Sequence, residues 1–91
     1  MLDVVTPTAS EWSEPSSLTR DERALIVAAT LARARFGSAG VELTFRRARL
    51  GRLEGYAVLA SLDRCGLVVV DADGIAPTFA GLMFAGLDNG R

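Results

Sequence analysis

The sequence predicts an α+β fold, mostly helical with a short two-stranded hairpin. Three observations predict it. Residues 19–37 combine helix-start side chains, apolar residues at helical spacing and a terminal glycine. Residues 52–66 show the same helical spacing with Leu53, Tyr56, Leu59 and Leu62, ending at Gly66. Residues 67–78 then change period: a β-branched run, an Asp73-Gly74 turn signal and Pro77 precede Thr78, which opens a last helix.

Residues 1–17 read as a flexible acidic arm in front of a folded domain at 18–91. The arm carries Pro7 and Pro15, is rich in Ser, Thr and Glu, and shows no amphipathic period. Leu2, Val4 and Val5 also fit a short strand, and Trp12 a docked aromatic, but a solvated arm is the favoured reading.

Thr19-Arg20-Asp21-Glu22 has the form of a capping box, in which each terminal side chain satisfies the other's backbone N–H. Asp21 and Glu22 also suit the positive end of the helix dipole. Leu25, Ala28, Ala32 and Phe36 mark the inward face, flanked by Ile26, Val27 and Leu31, and Gly37 supplies the stop. Apolar residues cover more than half of this helix, wider than one core-facing stripe needs. A second buried contact, with another copy of the chain, would account for the excess.

Residues 38–50 fit two readings. Val41, Leu43 and Phe45 alternate with Glu42, Thr44 and Arg46 as in a strand, whereas Val41, Phe45 and Ala48, with Leu43 and Leu50, also fit a short helix. In the closing helix, Phe79, Leu82, Met83 and Leu87 are expected inward, weakened by Gly81 and Gly86.

Composition narrows the chemistry. The chain has 91 residues, 49% of them apolar, and a net charge of −1. A single domain of this size buries only roughly 60–65% of its unfolded surface, so self-association is a natural way to enlarge the core. Histidine is absent, which removes the commonest general base and metal ligand. The lone Cys65 rules out an intrachain disulfide or a cysteine-based zinc site, and is expected to be a buried structural thiol. Asp71 and Asp73 lack the companions of a calcium loop and are accounted for by turn chemistry. No catalytic machinery, cofactor or metal is expected. No apolar run approaches membrane-spanning length and no signal peptide is visible, so a cytoplasmic location is expected.

Charge is uneven along the chain. Residues 1–22 sum to −4, residues 23–64 to +5 and residues 65–91 to −2, and all ten basic residues are arginine. The central segment is basic enough to meet phosphates.

The run Tyr56-Ala57-Val58-Leu59-Ala60-Ser61-Leu62-Asp63-Arg64-Cys65-Gly66-Leu67-Val68, followed by a hairpin and Pro77-Thr78-Phe79-Ala80-Gly81, resembles winged helix-turn-helix regulators of the MarR and PadR type. There, a leucine-rich helix ends in Gly-Leu-Val and a hairpin leads to Leu-Thr-x-x-Gly. The resemblance spans residues 19–87 and tips residues 41–49 toward helix. It implies a small DNA-binding transcriptional regulator, dimeric through its first and last helices, with double-stranded DNA as partner. Arg46, Arg47, Arg49 and Arg52 would lie on the second helix and the turn into the recognition helix, facing the phosphate backbone. Glu54, Tyr56 and Ser61 would lie along the recognition helix, with Tyr56 shared between core and groove. The Asp71-Ala72-Asp73-Gly74 tip is acidic and is expected to stay off DNA. The alternative is a winged-helix protein-interaction module or adaptor that does not bind DNA. The bland reading of the arginines is a solvated face paired with Glu42, Glu54 or the arm. From charge alone, Asp3, Glu11 and Glu14 of the arm are a match for the arginine patch and could compete there with nucleic acid.

Overall fold

A computed structural model describes residues 18–87. The arm at 1–17 and residues 88–91 of the expected domain lie outside these described residues.

The first helix, α1 (Arg20–Phe36), starts where the sequence signals it. Thr19 Oγ1 accepts the Glu22 N–H at 3.0 Å, and Glu22 Oε1 accepts the Thr19 N–H at 2.9 Å. Such a cap is worth about 1 kcal/mol. Gly37 ends the helix in the left-handed region, at φ 80°, and donates its N–H to the Arg33 carbonyl. Leu25, Ile26, Ala28, Ala29 and Ala32 form the buried face. Phe36, expected on that face, is 58% exposed. It sits in the last turn of α1, with the Arg47 guanidinium over its ring, 5.4 Å from the centroid.

Residues 41–47 are helical, which resolves the ambiguous segment: α2 runs Val41–Arg47. Thr44 and Phe45 are its buried residues. Thr44 is completely enclosed, and its hydroxyl donates to the Gly40 carbonyl at 2.6 Å, so no polar group is left orphaned there. Leu50 then anchors a tight turn into α3 (Arg52–Arg64), its N–H donating to the Phe45 carbonyl. Gly55 lets α3 press against α2, since a Cβ at that position would meet the Phe45 ring at 2.5 Å.

The hairpin pairs β1 (Val68–Asp71) antiparallel with β2 (Gly74–Pro77), in the register Val68↔Pro77 to Asp71↔Gly74. Its loop is Ala72-Asp73, one residue earlier than the Asp73-Gly74 signal suggests. Asp71 Oδ1 accepts the Asp73 N–H at 2.8 Å and shapes that loop. Gly74 is needed for a different reason. It lies at φ 100° beside Ala39, where any Cβ would collide with the Ala39 carbonyl. Ala39 adds a one-residue parallel bridge to the hairpin, donating to Asp73 O and accepting from Ile75 N.

The last helix, α4 (Phe79–Phe84), is capped by Thr78, which accepts the Gly81 N–H and donates to the Gly66 carbonyl. Its rotation differs from expectation. Gly81 rests on the Leu67 backbone and Ala85 is buried, while Phe79 is 71% and Met83 45% exposed. Residues two positions from Gly81 lie about 200° around the helix, so pressing Gly81 inward turns both of those side chains outward. Leu87, also expected inward, is 38% exposed.

The architecture is thus α+β, with three helices, a hairpin and a short closing helix around one core. Leu25 and Ile26 of α1, Leu62 of α3, and Val68 and Ile75 of the hairpin are its fully enclosed centre. Arg33 ties α1 to the hairpin, donating to the Ile75 carbonyl at 3.3 Å and lying 3.8 Å from Asp71. Among the described residues, no helix is long and apolar enough to cross a membrane.

Candidate functional site

The corner between α2 and α3 collects the arginines. Arg46 and Arg47 close α2, Arg49 forms the turn and Arg52 opens α3; all four are exposed. Arg49 is the one described non-glycine residue with positive φ, at 63°. That left-handed conformation costs a residue with a Cβ roughly 1–2 kcal/mol. It lets the chain reverse between Arg46, whose carbonyl accepts the Arg49 N–H, and the buried Leu50.

The expected site residues do not act as one group. Arg46, Arg47 and Arg49 have no carboxylate within ion-pair distance among the described residues. Arg52 does: its Nη2 lies 3.0 Å from Glu42 Oε2 and donates to Oε1 at 3.1 Å. The hydrogen bond to Glu42, and then its charge, raise the Arg52 guanidinium above its ordinary range. Arginine is already fully protonated, so the consequence is orientation rather than ionisation.

Glu54 is occupied by folding, since its Oε1 accepts the Gly51 N–H at 3.0 Å and caps α3. Tyr56 is shared between fold and surface. Its ring meets Phe45 edge-on at 4.9 Å and 84°, yet the residue remains 46% exposed. Ser61 turns toward α1, donating to Glu22 Oε2 at 3.2 Å. It is therefore not available along the outward face where the resemblance would put it.

The outward face of α3 instead carries an apolar stripe that ends at Arg64. Leu53, Tyr56, Ala57 and Ala60 follow the three-to-four-residue spacing of one stripe, and Leu53 is 87% exposed. The hairpin adds exposed Val69 and Val70 and an acidic tip. Cys65, expected to be buried, is exposed. The chain turns away at Gly66, φ 76°, and leaves the thiol at the rim of an open apolar cleft shared with Leu18, Leu67 and Phe84.

Two arginines escaped the sequence reading. Arg20 and Arg23, on the first turns of α1, join Arg47 and Arg49 around an open groove of about 490 Å³ whose lining also includes Val27 and Leu31. The signal was present as a second stripe on α1, Arg20, Arg23, Ala24, Val27 and Leu31, at the same helical spacing as the core face. Without tertiary contacts it could not be joined to residues 47–49. Among the described residues, no three His, Cys, Asp or Glu side chains gather as a metal ion would require.

Compared with known proteins, the chain matches no family model, no curated protein sequence and no solved structure.

Proposed function

We propose that this chain is a winged-helix DNA-binding regulator that grips duplex phosphates at the α2–α3 corner. The single observation that carries the reading is the exposed run Arg46, Arg47 and Arg49, without carboxylate partners among the described residues, beside the start of α3. The element order supports the fold half of the proposal. Three helices, a hairpin bridged by Ala39 and a capped closing helix are the parts of a winged helix. α3 takes the place of the recognition helix and the hairpin that of the wing.

In this reading guanidinium groups supply most of the affinity, each able to give two parallel hydrogen bonds to a phosphate. Along α3, exposed Leu53, Ala57 and Ala60 suit thymine methyl groups, while Arg64, about one turn beyond Ala60 on the same face, can hydrogen-bond a base edge. Asp71 and Asp73 keep the hairpin tip away from the backbone. A homodimer is part of the proposal, because Phe79, Met83 and Leu87 leave apolar surface at the closing segment. Two copies would then present two α3 helices to successive turns of DNA.

A second reading has its own support. The Leu53–Ala60 stripe with the acidic tip also suits a protein partner, making the chain an adaptor that does not touch DNA.

Fluorescence anisotropy of a labelled mixed-sequence duplex decides between them. Three or four phosphate contacts predict an affinity loss of roughly 40–150-fold between 50 and 200 mM salt, from counterion release. Binding should disappear in the Arg46/Arg47/Arg49/Arg52→Ala variant. Absence of binding at low salt would discard the DNA reading in favour of the adaptor.

A further inference from the structure

We infer that the four-arginine groove on α1 is the docking site of this chain's own acidic arm, residues 1–17, seated through Trp12. The groove is amphipathic. It is lined by Arg20, Arg23, Arg47 and Arg49 together with apolar side chains that include Val27 and Leu31, the latter 57% exposed. None of the four arginines has a carboxylate within ion-pair distance among the described residues. An occupant must therefore bring both negative charge and apolar surface.

The arm has that chemistry. It contains Asp3, Glu11 and Glu14 and no basic residue, and Glu11 and Glu14 bracket Trp12, the sole tryptophan of the chain. A Glu-Trp-x-Glu segment lying in the groove would put the indole on the apolar side chains and carboxylates against the guanidinium groups. Trp is also the best aromatic partner for a guanidinium face.

Reach and attachment agree. The arm joins the domain at Leu18-Thr19, immediately before Arg20, and so begins beside the groove. Trp12 lies six residues before Leu18, a span of up to about 20 Å when extended. The α1 lining of the groove, from Arg20 to Leu31, extends about 16 Å along the helix. Tethering makes the contact intramolecular, at an effective concentration on the order of millimolar, so a weak contact suffices. The contact stands independently of the nucleic-acid reading. Only its consequence, competition between arm and phosphate for Arg47 and Arg49, rests on that reading.

Trp12 makes the test direct and free of DNA. Its emission and acrylamide quenching are measured in the full chain, in a synthetic peptide of residues 1–17, and in two charge-reversed chains, Glu11→Lys/Glu14→Lys and Arg23→Glu/Arg47→Glu. The expected result is a blue-shifted emission and a several-fold lower quenching constant in the full chain than in the peptide. Both reversals should return peptide-like values; the arm variant leaves residues 18–87 unaltered and so guards against misfolding. Three results would overturn the inference: peptide-like quenching in the full chain, protection that survives both reversals, or protection lost on dilution, which would place the arm on another copy.

Discussion

Phe45 fills the space that a side chain at Gly55 would need, with its Cγ 2.5 Å from where a Cβ would stand. This contact sets how closely α3 lies on α2, and so where the arginine corner sits relative to the outward face of α3. Tyr56, the next residue, meets the same ring edge-on.

Gly55→Ala is accordingly expected to destabilise, although alanine is the better helix former by about 1 kcal/mol. Overpacking costs about 1–3 kcal/mol, and the ring cannot retreat into a buried core without displacing its neighbours. A urea melt followed by circular dichroism measures the net effect. Stabilisation would show that the two helices separate freely at this point.

Arg49→Gly separates function from fold. Glycine relieves the left-handed strain at φ 63°, roughly 1–2 kcal/mol, and loses about 0.5–1 kcal/mol through the greater freedom of the unfolded chain. Stability should stay level or rise slightly, while duplex affinity falls with the loss of one phosphate contact. Thermal melting and anisotropy on the same sample read the two effects separately.

Glu22 serves two elements at once, accepting from the Thr19 N–H with one oxygen and from the Ser61 hydroxyl with the other. Glu22→Ala should lower stability by about 1–2 kcal/mol, the sum of a weakened cap and a lost charge-assisted hydrogen bond. Ser61→Ala should cost no more than about 1 kcal/mol. Equal effects in chemical denaturation would show that the cap contributes nothing.

Cys65 should react with a thiol reagent in the folded protein, at one equivalent per chain, without denaturant. Cys65→Ser should alter stability by less than about 0.5 kcal/mol, as expected of an exposed site. Labelling that requires urea would mean that another surface covers the C-terminal end of α3.

Local chemistry was legible in the sequence. The Thr19–Glu22 box, the Gly37 and Gly66 stops, Thr78 as a cap and Pro77 as the end of β2 all act within a few residues, and all appear where the residue types put them. The arginine cluster was legible too, because a charge run needs no partner to be seen. Side-chain direction was less so. Phe36, Phe79 and Met83 have the hydrophobicity of core residues and face outward, because Gly81 against Leu67 rotates α4 and the core ends before the last turn of α1.

What the sequence determined by itself is the set of elements and their ends, since capping, turn chemistry and apolar period are properties of neighbouring residues. Tertiary structure alone decided which surfaces those elements share. It made residues 41–47 a helix by burying Thr44 and Phe45, bound Arg52 to Glu42, and turned Ser61 toward Glu22. It also brought Arg20 and Arg23 together with Arg47 and Arg49 across more than twenty residues of chain. The reason is physical: periodicity assigns a residue to a face of its own helix, but only packing against a second element says what that face meets.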